Sequence, residues 1–486
     1  MSERQAADAA LTLGGILAVR AQAHPHRAAL TSAAERLDYA ALNGRANRLA
    51  NGLLRAGVAP GDRVATVLPN CGAHISLLFA CARIGAIAAP LDRRLAEAEL
   101  SEVLADAEPR LVLRSEEEVA SLVSADDSAP ATAVDPRAPL LLAYTSGTTG
   151  RPKGVLLSHL NMVWAAINQI VDWGVSAADV ALAAAPLFHM GGLLALSLPT
   201  LHAGGTLHVA PSTDPEDVAA AIERERVSCV FLPPPAWRAL ARSPALRRAD
   251  LRSLRLGATG GDPLPAEVVA QLLAALDADF VEAYGLSEAS SCVTQLRRGD
   301  LLRKRGSVGT PFAHVAVRVV DEDGRDSGAG AVGEILVAGP TVMAGYWRRP
   351  EETAAALRDG WLHTGDLGRL DGEGFLEVVA RKGDGLVVEG GKLYPAEVER
   401  VLQTCPGVTE AAVFAVDRDG GSVLAAAVAG AFDDGALVEH CRSRLAAYKL
   451  PRFVVTVDAL PRSPSGKLAR SELHGRFAAA ELRPLV

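Results

Sequence analysis

Paired cysteines are missing from the chain. Its six cysteines (71, 81, 229, 292, 405 and 441) are scattered, and no C-x-x-C occurs. That excludes a zinc-ribbon type of site and a disulfide framework, and reduced thiols are expected. Positive charge is in deficit: 49 Lys+Arg against 57 Asp+Glu leave a formal net charge of −8. Such a balance carries no electrostatic footprint for nucleic acid. Long hydrophobic runs are absent too. The most apolar stretch, "MGGLLALSLPTLHAGG" from Met190, is broken by Gly and Pro and falls short of a membrane span. At the N-terminus, Glu3, Arg4 and Asp8 precede "LTLGGILAVRAQ", which reads as a surface amphipathic helix rather than a signal peptide. No repeat or low-complexity segment appears, and the expected location is cytoplasmic.

What is present suits an ordinary globular protein, with 49% apolar and 22% charged residues. A length of 486 residues exceeds one core and implies two to four domains. "YAALNGRANRLANGLLRAG" has helical spacing and stops at Gly57; "DRVATVLP" reads as a strand, "AHISLLFACARIG" as a helix and "AIAAPL" as a strand. This alternation implies a parallel sheet flanked by helices. Ser158 is the expected N-cap of a helix whose apolar face is Leu160, Val163, Trp164, Ile167, Ile170 and Val171. A second alternating block has strands at "VSCVFLP", "LRLGAT" and "FVEAYG". From about 306 to 380 short strands and turns suggest a small β-rich subdomain. Gly383, Gly385, Gly390 and Gly391 then mark a loop or hinge, and the last hundred or so residues suffice for a separate α+β domain. The expected fold class is therefore α/β, with two helix-flanked sheets, a β-rich subdomain and a C-terminal α+β domain.

Chemistry concentrates first in "YTSGTTGRPKG", Tyr144 to Gly154. Glycine allows backbone N–H groups to converge into a nest for anionic oxygens. Thr145, Ser146, Thr148 and Thr149 add hydroxyl donors, and Lys153 adds a mobile positive charge. The combination suits a polyphosphate, although a polar surface loop has a similar composition. The usual phosphate loop has its lysine opening a helix. Here "GVLL" after Lys153 reads as a strand, which places the loop between two strands.

Five further stretches follow in order: "PLFHMGG" (186–192), "ATGGDPLP" (258–265), "AYGLSE" (283–288), "WLHTGD" (361–366) and "LPRSPSGKL" (460–468). Together with the glycine loop they resemble the adenylate-forming superfamily of acyl-CoA synthetases, peptide-synthetase adenylation domains and luciferases. The likeness runs from about residue 10 to 480. It implies that a carboxylate attacks the α-phosphate of ATP, giving acyl-adenylate and pyrophosphate, after which a thiol displaces AMP.

The resemblance implies a role for each residue. Thr145, Ser146, Gly147, Thr148, Thr149 and Lys153 would hold the β- and γ-phosphates. Glu288, with Thr148, would hold Mg²⁺, a hard cation that suits carboxylate oxygen. Tyr284 would stack on adenine, with Gly260, Gly261 and Asp262 along the purine edge and Gly285 and Ser287 beside them. Asp366 would accept both ribose hydroxyls, and Arg381 would contact ribose and phosphate. Lys467 would swing in to bridge the α-phosphate and the attacking carboxylate, where charge builds in the transition state. Phe188 and His189 would gate the passage between ATP and the acid, making His189 the third expected catalytic residue after Lys467 and Glu288. The domains implied are 1–382, binding ATP and acid, and 383–486, carrying the catalytic lysine and rotating about Gly383 and Asp384. That loop departs from pattern: Gly383 stands where relatives usually have Asp or Lys, and Lys392 where they often have an acid.

The acyl pocket expected from the motifs comprises Phe188, His189, Gly192, Phe231, Ala258, Gly260, Gly285 and Leu286, with Val230 behind. Gly257, Ala258 and Gly260 are expected to leave room for a bulky hydrophobic acid, and no Lys or Arg among these residues would pair a second carboxylate. A fatty, aryl or polycyclic monocarboxylic acid follows. "YKLPRFV" (448–454) resembles acyl-CoA synthetases more than peptide-synthetase domains, so CoA is the expected thiol. Loading of a separate carrier protein and a catalytically dead ATP-binding relative are the alternatives. Possession of Lys153, Glu288, Asp366, Arg381 and Lys467 together speaks against the second.

Overall fold

A computed structural model of the chain describes residues 10–145, 153–382, 386–388, 391–393, 395–418, 421–462, 468–477 and 482–485. Two compact units result. One comprises residues up to 317 together with 336–363; the other comprises 318–335 and 364–486.

The first unit holds two sheets. The nine-stranded sheet runs, in spatial order, Thr310–Pro311, Thr294–Leu296, Asp279–Tyr284, Leu256–Gly260, Cys229–Phe231, Val180–Ala183, Thr206–Val209, Ala28–Thr31 and Arg36–Asp38. Its six central strands are parallel, and the edges pair antiparallel. The six-stranded sheet runs Gly345–Tyr346, Lys153–Ser158, Pro139–Thr145, Ile87–Pro90, Arg63–Thr66 and Leu111–Leu113. Parallel strands need crossovers, and the helix Gly72–Ile84 supplies one between Arg63–Thr66 and Ile87–Pro90, while the helix Tyr39–Arg55 leads from one sheet to the other. Each ends where the sequence stops it. Gly85 takes the left-handed C-cap conformation at φ 72°, and Gly57 follows the other helix at φ 79°.

Three expectations change. The Leu13–Ala23 helix is capped by Thr12 and buries Leu13 and Leu17, so it is anchored in the unit rather than lying on its surface. The His159–Asp172 helix is capped by Ser158 as expected, but its buried face includes His159, Asn161, Asn168 and Gln169, while Val171 is exposed. Polar side chains gain that face because they find partners. Asn161 donates to Pro340 O (2.8 Å) and Val342 O (2.7 Å), and Asn168 accepts from His314 Nδ1 (2.8 Å). The β-rich stretch after 306 is shared among three sheets, because Thr310–Pro311 and Gly345–Tyr346 close antiparallel edges of the two large ones.

A five-stranded sheet is formed by the strands Ala316–Val320, Gly333–Ala338, Leu357–Arg358, Trp361–Leu370 and Leu376–Arg381. A four-stranded sheet follows: Val408–Arg418, Gly421–Gly430, Phe453–Thr456 and Arg483–Pro484. Its alternation sorts the side chains. Ala411, Val413, Leu424 and Val428 pack with Val398, Leu402 and Leu437 on one face; Ala412, Phe414, Val416 and Val423 pack with Leu473 and Phe477 on the other. All six cysteines are free and buried, and among the described residues no helix is long and apolar enough to cross a membrane.

Asp179, with a side chain 3% exposed, ties three strands of the large sheet together at their starts. Arg255 donates to both its oxygens at 2.7 Å, Ser228 Oγ donates at 2.7 Å and the Ser176 N–H at 2.7 Å. Burial pushes this carboxyl up, but Arg255, Ser228 and the Ser176 N–H outweigh it and bring it down to about 2. An unfolded aspartate titrates near 4 (about 3.9), so this stabilisation is full above that value and is lost as pH falls toward 2. Asp179→Asn should cost about 3 kcal/mol at pH 7, since it leaves Arg255 without its anion. Urea unfolding from pH 7 to 3 should show a flatter acid limb in the variant; superimposable limbs would contradict the assignment.

Candidate active site

Four neighbouring parallel strands of the large sheet end at one edge: Val180–Ala183, Cys229–Phe231, Leu256–Gly260 and Asp279–Tyr284. The chain leaves the first into Phe188 and His189, the second at Phe231, the third through Gly260, Gly261 and Asp262, and the fourth through Tyr284 to Glu288. A crevice outside the carboxyl ends of parallel strands is where ligands bind in open α/β sheets.

Glycine is required at several of these ends by close approach. A Cβ on Gly260 would lie 2.6 Å from Ala283 O, and one on Gly285 would lie 1.4 Å from Ser291 O. Gly261 adopts φ 103°, which favours glycine. Gly191 sits under Phe231, whose ring would be 2.7 Å from an added Cβ, and Gly192 lies against Pro186 O. Gly257 leaves no room for a ligand, contrary to expectation: a Cβ there would meet Phe280 at 2.9 Å and Trp237 at 3.1 Å, two core rings packed edge to face. Ala258 is fully buried, and its carbonyl accepts from the Trp237 indole N–H at 2.9 Å.

His189 is exposed and N-caps a short turn, its Nδ1 accepting from the Gly191 N–H at 3.3 Å. The loop before it is pinned by Asn70, which donates to Ala185 O (2.9 Å) and accepts from the Leu187 N–H (2.9 Å). Arg94 lies over the Phe188 ring, 5.6 Å from its centroid, and Asp92 matches its charge through bonds of 2.8 and 2.9 Å. Burial lifts Glu282, two residues before Tyr284, to about 7 against the opposing pull of the Leu264 N–H and Arg305.

Lys153 opens the strand that pairs with Pro139–Thr145, so the glycine loop does lie between two antiparallel strands. Its ammonium pairs with Glu352 and stands 5.6 Å from the centroid of the Tyr346 ring. The hydroxyl of Tyr346 donates to Glu288 Oε1 at 2.9 Å. One tyrosine thus joins the lysine of the first motif to the acid of the fourth. Asp106 serves the other flank of the loop: it accepts from Tyr144 OH (2.7 Å) and pairs with Arg349 (3.0 Å). Asn70, Asp106, Tyr346, Arg349 and Glu352 were missed from sequence. Only the dense "GYWRRPEE" run, with two aromatics and four charges, could have drawn attention.

In the second unit, Asp366 and Arg381 face each other across two antiparallel strands, Arg381 Nε lying 3.8 Å from Asp366 Oδ1. The Asp366 N–H donates to Thr364 Oγ1 at 3.0 Å. Ser146, Gly147, Thr148, Thr149, Gly383, Asp384 and Lys467 lie outside the described residues, as do the side chains of Thr145 and Lys392.

Known proteins resemble this chain along most of its length. Residues 17–347 match the AMP-binding enzyme family, and 397–467 match the AMP-binding enzyme C-terminal domain. The chain is 41% identical over 479 residues to a feruloyl-CoA synthase of Amycolatopsis sp, covering 94% of this chain and 97% of the relative. It is 37% identical to the indoleacetate–CoA ligase of Aromatoleum aromaticum, covering 92% and 95%. Among solved structures, o-succinylbenzoate CoA synthetase from Bacillus subtilis in complex with its acyl-adenylate intermediate superposes with a TM-score of 0.85 at 31% identity, covering 94% and 97%.

The Gly191–Phe231 contact is directly testable. Gly191→Ala should destabilise the protein by about 1–3 kcal/mol through overpacking. Adding Phe231→Leu should make the double variant less unstable than the sum of the two single costs, because the residues touch. Strict additivity in urea unfolding would show that the contact is absent.

Proposed function

The chain belongs to the AMP-binding enzyme family, and we propose from that premise which of its own residues do the work. It is an acid–thiol ligase that uses ATP, Mg²⁺ and CoA. A carboxylate oxygen bonds to the α-phosphorus as the bond to the bridging oxygen breaks and pyrophosphate leaves. The CoA sulfur then bonds to the acyl carbon with loss of its thiol proton, and AMP leaves as the carbon–oxygen bond of the acyl–phosphate anhydride breaks.

Adenine is assigned to Tyr284 and the backbone of Gly260, Gly261 and Asp262, with Gly285 and Ser287 alongside. Convergence of these residues at adjacent strand ends is the observation that carries the reading. Lys153 and the residues from Thr145 to Thr149 are assigned to the β- and γ-phosphates, and Asp366 and Arg381 to the ribose. Glu288 suits Mg²⁺: it offers one hard oxygen while Tyr346 OH orients the carboxylate, and no group of three or more metal-ligating side chains occurs among the described residues. Mg²⁺ keeps most of its waters and takes few protein ligands beside phosphate, so a single carboxylate with Thr148 suffices. Bound there, the ion would neutralise charge on the phosphates. Lys467 is assigned to the α-phosphate and the attacking carboxylate, with Gly383 and Asp384 as the hinge between 1–382 and 383–486.

For the acid, we read an aryl or aryl-alkyl monocarboxylate. The assigned wall (Phe188, His189, Gly192, Phe231, Ala258, Gly260, Gly285, Leu286) has small or apolar residues beside one exposed imidazole. Its neighbouring cation, Arg94, is already matched by Asp92. The feruloyl- and indoleacetate-activating relatives support the aromatic choice over a plain fatty chain.

Acid-dependent ATP–pyrophosphate exchange over a panel of aryl and fatty acids, with products weighed by mass spectrometry, tests this. Exchange strongest with aryl acids and a CoA thioester as product is expected. Exchange confined to fatty acids, or acyl transfer only to a carrier protein, would overturn the corresponding half of the reading. Lys467→Ala should slow adenylation about 100- to 1,000-fold, the loss typical of one transition-state donor. Thiolysis of supplied acyl-adenylate should largely persist, and an equal fall in both half-reactions would remove Lys467 from the role.

A further inference from the structure

The anion on Lys153 in this structure is a carboxylate of the chain itself. Glu352 pairs with the Lys153 ammonium, and both side chains are partly exposed, 40% and 23%. Glu352 has a second cation within reach: Arg349 Nε lies 3.8 Å from its Oε1. The backbone carrying them is held firmly. Gly345 and Tyr346 pair with Leu156 and Val155 on the Lys153 strand, Tyr346 N–H donates to Thr353 Oγ1 (2.9 Å), and Arg349 is anchored on Asp106. The segment 345–353 therefore lies against both flanks of the glycine loop, because Asp106 also holds Tyr144, the register partner of Gly154.

We propose that Glu352 is an internal stand-in for phosphate: it holds Lys153 in place while the nucleotide is absent and must give it up when a polyphosphate arrives. This rests on the reading that Lys153 contacts the β- and γ-phosphates. An ammonium shared between a carboxylate and a phosphate brings two like charges together, which is unfavourable. Glu352 relieves that conflict by moving its pairing to Arg349 without leaving the segment. Nucleotide binding is then an exchange of one ion pair for another, and the exchange weakens ATP affinity while keeping the lysine positioned. AMP lacks the β- and γ-phosphates and does not enter the competition, so the device acts on substrate and spares the product.

Equilibrium binding of ATP and of AMP to the full-length enzyme, without acid, tests the proposal by calorimetry in four proteins: wild type, Glu352→Gln, Lys153→Ala and the double variant. Glu352→Gln should tighten ATP about two- to fivefold, the worth of a partly exposed ion pair. The gain should shrink as salt is raised, and AMP affinity should not move. In the Lys153→Ala background the same substitution should have no effect on ATP, because its action runs through the lysine. If Lys153→Ala weakens ATP but Glu352→Gln leaves it unchanged or weaker, the stand-in role is wrong and the phosphate role of Lys153 survives. If Lys153→Ala leaves ATP unchanged, the phosphate role itself fails. Equal tightening for AMP, or in the absence of Lys153, would mean a general charge effect and would also overturn the proposal.

Discussion

Parallel pairing of Val180–Ala183, Cys229–Phe231, Leu256–Gly260 and Asp279–Tyr284 forces four carboxyl ends onto one edge of the nine-stranded sheet. Segments that are far apart in the chain, from Phe188 to Glu288, are gathered there by the backbone hydrogen bonds of the parallel ladder. The close approach of Gly260 to Ala283 O and of Gly285 to Ser291 O keeps these ends tight. Substituting either glycine would push apart the strand ends on which the assigned nucleotide contacts stand. Below that edge, the Asp179–Arg255 pair and its hydroxyl partner hold the starts of three of these strands, those beginning at Val180, Cys229 and Leu256.

A second constraint is electrostatic. Lys153 and Glu288 belong to different motifs and different elements, yet Tyr346 touches both, one through its ring face and the other through its hydroxyl. Cation–π attraction and a hydrogen bond to a carboxylate are compatible on one tyrosine because they use different parts of it. The Gly345–Tyr346 strand is only two residues long, and its place at the edge of the six-stranded sheet is what brings the phenol there. On the proposed assignment of Lys153 to phosphate and Glu288 to the metal, this shared neighbour sets the separation between the two.

Much of this was legible in the sequence because it is local. Helix ends at Gly57 and Gly85, the Ser158 cap, the strand after Lys153 and the six ordered motifs all depend on residues near one another in the chain. What was not legible depends on tertiary pairing. Asn161 and Asn168 sit on a buried face because backbone and histidine partners arrive from residues 314 and 340–342. Gly257 appeared to offer space, but Trp237 and Phe280 fill it. The short strands after 306 looked like one subdomain because strand propensity does not say which sheet an edge strand will join. Asn70, Asp106 and Glu352 carry no motif, and apart from Arg349 beside Glu352 the partners named for them lie between about 38 and 243 positions away.

On the proposed assignment the nucleotide binds at the ends of Leu256–Gly260 and Asp279–Tyr284, and photolabelling reaches those ends most directly. The full-length enzyme irradiated with 8-azido-ATP and Mg²⁺, then digested and mapped by mass spectrometry, should carry the label on peptides spanning 258–265 or 283–288, with protection by excess ATP. Protectable label confined to other parts of the chain, with those peptides unmodified, would contradict the account.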